Sequence, residues 1–267
     1  MNLPPPSPDL RACVVVPARN EEDLIGSCLR ALSAQVGIPH EQYEVLLVLD
    51  GCEDETEARA REVAARHPLV RLHPLEGPGK GSGPARRVGM DAACARLLEV
   101  GRTEGLIAST DADTVAAADW LAAQLEAVSG GARAIGGRID LADDDSLPQS
   151  VYRWHAEQGR LRHEKLLSDP DHAGKTEHWQ FSGASLALTA EVYQRVGGLE
   201  PLVALEDEHL EHVLRQHSIP IERLLSVRVK TSPRLVGRAK RGLSYDLSRA
   251  VSGLRPQAIG GERQADG

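Results

Sequence analysis

An α/β protein with a mostly parallel central sheet flanked by helices is what three observations on this sequence predict. Short β-branched apolar runs alternate with stretches of helical periodicity through the first half of the chain. Three of those runs lead directly into charged or amide side chains, as strands do when their carboxyl ends border a ligand crevice. The composition, 41% hydrophobic and 26% charged over 267 residues, suits a folded protein with a sizeable core. Aromatic residues, at 3%, are too few to supply the stacking platforms of a nucleic-acid binder, and a net charge of -8 gives polyanions no general attraction.

The first strand is ACVVVPA, residues 12–18, whose continuous apolar run suits burial on both faces. A helix follows over about 21–35, with Leu24, Ile25, Cys28, Leu29 and Leu32 on one face. The second strand is YEVLLVL, ending at Asp50, and a second helix covers about 55–66. A short strand near 70–73 leads into the loop PLEGPGKGSG, after which Pro84 is expected to open a helix that Gly101 closes. The fourth strand, GLIAST, delivers the chain into Asp111-Ala112-Asp113; a helix at 118–129 and a strand at 134–141 complete this half. The second half reads less regularly: a long helix at about 147–167, a polar loop, SGASLALT, a short helix at 190–196, a Gly197-Gly198 break and an acidic helix start at Glu206-Asp207-Glu208. Residues 1–10 and 256–267 are expected to be flexible, and no internal repeat is visible.

Four cysteines without a C-x-x-C read as reduced thiols of a cytoplasmic protein. The N-terminus does not have the form of a secretion signal, and no run approaches the roughly 20 apolar residues of a membrane span. Residues 228–255 carry eight Lys or Arg and one Asp, a basic stretch suited to an anionic ligand or to peripheral contact with an anionic membrane surface.

The polar groups at the three strand ends are Arg19-Asn20-Glu21, Asp50, and Asp111 with Asp113. A D-x-D at a strand end supplies hard oxygen ligands for a divalent cation, which takes its remaining ligands from water and phosphate; either Asp could instead cap the following helix. The loop 77–83 precedes a helix and can approach phosphate with Lys80, Arg86 and Arg87, but it matches neither G-x-G-x-x-G nor the P-loop, which argues against a nicotinamide dehydrogenase and a P-loop NTPase. The cluster 205–212 is not H-E-x-x-H, so it lacks the ligand pair of a metalloprotease. Its acidic residues either complement a helix dipole or provide a general base.

Taken together, VVVPARNEE (14–22), VLDGCEDET (48–56), STDADT around the D-x-D, SGAS followed by YQRVGGL, and EDEHL (206–210) resemble, in order, a family 2 glycosyltransferase of the GT-A, Rossmann-like fold, over about residues 10–225. The resemblance implies one domain over 11–255, with a nucleotide-sugar half at 11–142 and an acceptor half at 143–255. It implies non-processive, inverting transfer of one sugar, with UDP as the default nucleotide, to a small or diffusible hydroxyl acceptor. Pro17, Arg19, Glu21, Asp50 and Asp111 would hold the donor, with Lys80, Arg86, Arg234 and Arg238 near its diphosphate. Asp113 would ligate Mg²⁺ or Mn²⁺, and Asp207 would be the catalytic base. Trp154, His178, Trp179, Gly183 and Glu206 would line the acceptor side.

Two departures stand out. Leu49 occupies a place where the family often has a second Asp, and the Q-x-x-R-W of processive synthases is missing. A nucleotide-sugar-binding protein without catalysis is the alternative that Leu49 leaves open. A sugar-nucleotide pyrophosphorylase is disfavoured because Pro17-Ala18-Arg19-Asn20 stands where its glycine-rich loop would be.

Overall fold

The computed structural model describes residues 3–67, 71–142, 147–235 and 242–252. The expected tail at 256–267, and Arg238, lie outside the described residues. One eight-stranded sheet runs in the order β3-β2-β1-β4-β7-β6-β8-β5. It consists of β1 (Ala12–Ala18), β2 (Tyr43–Leu49), β3 (Arg71–Glu76), β4 (Leu106–Ser109), β5 (Thr114–Ala116), β6 (Ala134–Leu141), β7 (Leu186–Thr189) and β8 (Ile221–Thr231). The pairings β1–β2, β1–β4, β2–β3 and β6–β8 are parallel, whereas β7 runs antiparallel to β4 and β6, and β5 to β8. The chain winds outward from β1 to β3 and then returns to place β4 on the other side of β1. That reversal opens a crevice at the carboxyl ends of β1 and β4.

Helices cover both faces. Along β1 and β2, Val14, Val16, Val45 and Leu47 pack towards α1 (Ile25–Ser33) and α4 (Trp120–Ser129). Val15, Leu46 and Val48 pack towards α3 (Ser82–Glu99), α6 (Ala190–Arg195) and α7 (Glu206–Gln216). The strict alternation is the period of two that a strand imposes. The remaining helices are α2 (Thr56–Arg66), α5 (Gln149–Leu167) and α8 (Leu243–Val251), the last of which buries Leu247 against Leu141, Leu147 and Val151.

Two local expectations change. The helix expected at Pro84 starts two residues earlier, at Ser82, because a proline is tolerated anywhere in the first turn, where backbone N–H groups have no intrahelical partner. Residues 3–10, expected to be loose, pack instead: Leu10 and Ser7 are buried, and the Pro4 carbonyl accepts a hydrogen bond from Arg96 Nη1 at 2.9 Å. That Arg96 also grips Glu44, fully buried near the start of β2, through two nitrogens, while His73 Nε2 lies 3.1 Å from the same carboxylate. Burial would raise the Glu44 pKa, but the bonds from Arg96 and His73 prevail and bring it down to about 2.

Candidate active site

The rim of the crevice is built from two loops that hold each other. Asn20, in the left-handed region at φ 51°, accepts the Glu53 N–H, and Glu22 accepts the Glu55 N–H. In return, Asp54 accepts the Glu22 N–H and Thr56 Oγ1 the Glu21 N–H, at 3.0 and 2.6 Å. Asp50 is 2% exposed and receives the Gly79 and Gly81 N–H groups on its two oxygens, at 2.6 and 2.8 Å. It therefore fixes the glycine-rich loop over the end of β2, with Arg19 at 4.0 Å and Lys80 exposed. Pro17 is buried within β1, and Leu49 packs partly against the α1-side core.

The D-x-D follows β4. Asp111 takes a 2.8 Å ion pair from Arg86, and Asp113 a 2.7 Å ion pair from Arg234. Arg234 also holds Glu21 through two hydrogen bonds, at 2.9 and 2.8 Å. One guanidinium thus lies between two carboxylates from opposite sides of the crevice. Asp113 is pushed up to about 6, first by burial and then by the neighbouring Asp111 charge, which Arg234 only partly offsets. Thr114 and Thr231, bonded to each other at 3.0 Å across β5 and β8, approach Asp113 Oδ1.

Arg86 joins this acidic pair to the second one. It donates to Asp111, Glu206, Ser109 and the Gly183 carbonyl while being 2% exposed. Burial disfavours its charge, but Asp111 and Glu206 outweigh that and raise its pKa. Arg86, expected near the donor diphosphate, is held here by two carboxylates of the protein. Glu206, expected on the acceptor side, is likewise turned inward onto Arg86; burial raises its pKa and Arg86 opposes the rise.

Asp207, next along α7, is half-buried and accepts the Gly183 N–H at 3.2 Å and the Glu208 N–H at 2.9 Å. Two close approaches make this possible. At Gly83 an added Cβ would lie 1.8 Å from the Leu202 carbonyl oxygen, so only glycine lets the chain before α7 pass the start of α3. At Gly136 an added Cβ would lie 2.3 Å from the Gln180 carbonyl oxygen, so only glycine admits the segment leading to Gly183 against β6. Leu205 caps α7 in the left-handed region at φ 63°, a strained conformation for a leucine, and aims the first turn inward.

The other expected acceptor residues separate. Trp154 packs into the small apolar cluster with Val151 and Leu247, the ordinary fate of a helix tryptophan. His178 and Trp179 line a cleft beside α5. Sequence reasoning did not find Ser109, Thr114, Thr231 or Arg223, whose short or paired side chains carry no motif of their own. Among the described residues no cluster of three or more His, Cys, Asp or Glu is arranged to hold a metal ion, and no helix is long and apolar enough to cross a membrane. The four cysteines are unpaired.

With this geometry in hand, three comparisons with known proteins agree. The family described as Glycosyl transferase family 2 matches residues 13–186. The chain is similar to a dolichyl-phosphate beta-glucosyltransferase of Drosophila melanogaster, 32% identical over 159 residues, 55% of this chain and 46% of that protein. It is also similar to the glycosyltransferase AglE of Haloferax volcanii, 29% identical over 128 residues, 48% of this chain and 38% of that one. The chain thus matches less than half the length of these curated relatives. The solved mannosyltransferase PcManGT from Pyrobaculum calidifontis, in complex with GDP-Man and Mn²⁺, aligns at TM-score 0.60 with 22% identity, covering 89% of this chain and 60% of that one. S. aureus TarS 1-349 with UDP-GlcNAc aligns at 0.62 with 16% identity, covering 91% and 66%. The likeness to these structures bears on fold, and the fold is GT-A.

Proposed function

The chain belongs to glycosyl transferase family 2, and from that premise we propose that it moves a single sugar from a nucleotide-diphosphate sugar to an acceptor hydroxyl, with inversion at the anomeric carbon. The observation that carries this is the Arg86 bridge, which ties Asp111 to Glu206 and so brings the D-x-D and the Glu-Asp pair to one crevice.

Asp207 is the general base. Its carboxylate is fixed by two backbone N–H groups and not by a cation, which leaves it able to accept the proton of an attacking hydroxyl. Glu21, Asp50 and the rim around Arg19 bound the donor side. The residues fit a divalent cation: Glu21 and Asp113 offer hard oxygen ligands and already share a positively charged partner in Arg234, which stands where a cation would. Asp113, with Asp111 nearby, would hold Mg²⁺ or Mn²⁺, and such an ion neutralises the charge that develops on a leaving diphosphate. Arg234, on the segment after β8, is placed to exchange Asp113 for a phosphate oxygen as a charge-assisted donor. UDP is the nucleotide we assign; the solved relatives bind GDP-Man and UDP-GlcNAc, so thermal shift with UDP, GDP and dTDP sugars plus Mn²⁺ settles the choice.

Asp207→Asn tests the reading. Turnover should fall by about 10²- to 10⁴-fold with donor affinity unchanged. Undiminished transfer would refute the base assignment, and a product ladder of more than one added sugar would refute single transfer.

A further inference from the structure

A cleft of about 190 Å³ opens between α5, the middle of β6 and residues 177–180, far beyond the roughly 10–15 Å³ that one water needs. His155 and His163 enter it from α5, Arg138 from β6, and His178 and Trp179 from the segment that leads to Gly183. Gly159, in the interior of α5, leaves room beside the indole: a Cβ there would lie 3.2 Å from Trp179 Nε1. A glycine in a helix interior costs about 1 kcal/mol relative to alanine, so the helix gives up stability where the cleft needs space.

The wall offers hydrogen-bonding groups, and its charged side chains are paired. Each arginine is already paired: Arg138 with Asp140 at 2.8 Å, Arg160 with Glu157 and Glu164, and Arg162 with Asp246 at 3.4 Å while it stacks 4.5 Å from the Trp179 ring centre. Glu177 is taken by Lys175 and by the Leu225 N–H. Burial brings His178 down to about 4, and burial together with Arg162 and Arg138 lowers His155, so both shifts favour the uncharged ring. His178 Nδ1 accepts the Gln180 N–H, which sets its tautomer, and among the described residues His155 has no hydrogen-bond partner. Neutral imidazoles beside an indole suit a hydroxyl-rich ring and give an anion no unpaired cation.

The cleft is also coupled to the reacting centre. Arg223 donates to the Trp179 carbonyl at 3.2 Å and to Glu211 of α7 at 2.7 Å, so one buried guanidinium joins the cleft to the catalytic helix. Gln180 brackets both backbone groups of Ile139 and pins the connecting segment to β6. From Trp179 to Gly183, whose N–H holds Asp207, the chain spans at most about 14 Å.

We infer that this cleft is a second acceptor subsite, which takes a neutral sugar or polyol ring of an acceptor whose reacting hydroxyl lies at Asp207. This rests on the glycosyl-transfer reading above and names the acceptor class as a short carbohydrate. The test follows the His155 and His163 Cε1–H resonances of the full chain during titration with methyl α-D-glucopyranoside, methyl α-D-mannopyranoside, ribitol and, separately, inorganic phosphate. A neutral probe should shift both resonances with millimolar affinity, weakened about tenfold or more by Gly159→Leu and less by Gly159→Ala. Silence from every neutral probe, a response to phosphate alone, or binding unaltered in both Gly159 variants would overturn the subsite. The same samples are titrated with UDP-GlcNAc and GDP-mannose plus Mn²⁺. Failure of both donors would overturn the transfer reading instead, so the two failures are distinguishable.

Discussion

The two ends of the central sheet use the same ingredients to opposite effect. At the amino end of β2, one buried carboxylate, Glu44, meets Arg96 and His73, and its pKa falls to about 2. At the carboxyl ends of β1 and β4, four carboxylates (Glu21, Asp111, Asp113 and Glu206) gather around two guanidiniums, Arg86 and Arg234, with Asp207 held nearby by backbone N–H groups, and Asp113 rises to about 6. The first cluster is balanced and serves the fold. The second, among the described residues, crowds like charges together, and that crowding with burial is what raises Asp113.

Breaking the balanced end should have the largest effect. Arg96→Met leaves Glu44 buried without its main partner and should cost about 3–5 kcal/mol, read by urea denaturation. A loss under about 1 kcal/mol would mean that Glu44 is not held as described. The crowded end should respond in the other direction: Asp113→Asn removes an under-compensated charge and should be neutral or stabilising by about 1 kcal/mol, while Mn²⁺ no longer raises the melting temperature in the presence of nucleotide. Marked destabilisation with Mn²⁺ stabilisation retained would contradict both parts.

The smallest and most diagnostic effect is the sign of the pH dependence. Glu44 has a folded pKa below its unfolded value of about 4.3, so its contribution is present above about pH 4 and is lost as the pH falls towards 2. Asp113 has a folded pKa of about 6 against an unfolded value near 3.9, so its contribution is full below about pH 4 and is lost as the pH rises through 6. In EDTA, the stability of Asp113→Asn relative to the parent should therefore rise between about pH 4 and 7. A difference that stays flat across that range would show that Asp113 is not under-compensated.

The same contrast runs through what the sequence disclosed. The strands β1, β2 and β6 were legible to the residue: β1 and β2 are almost wholly apolar, and all three are buried almost throughout. The strand β8 was missed: Arg223, Arg228 and Lys230 interrupt its pattern, and its pairing with β6 slips between Gly137 and Arg138. At three residues β5 is too short to signal, and α8 lies within the basic stretch that was read only for its charge. The acidic residues of the site were legible as motifs at strand and helix ends. The role of Arg86 was not, because its partners Ser109, Asp111, Gly183 and Glu206 lie 23 to 120 residues away and only the folded chain brings them together. Trp154 and Trp179 looked equivalent by type, and packing alone separates them.

The reciprocal clasp between residues 20–22 and 53–56 has a dynamic consequence. Each loop supplies the acceptors for the other's backbone N–H groups, so neither can lift without breaking four hydrogen bonds at once. Amide protons there should exchange with solvent far more slowly than is usual outside regular secondary structure. The width of the mouth on that side is then set by the fold, while on the opposite wall Arg234 ties the chain after β8 across to Glu21.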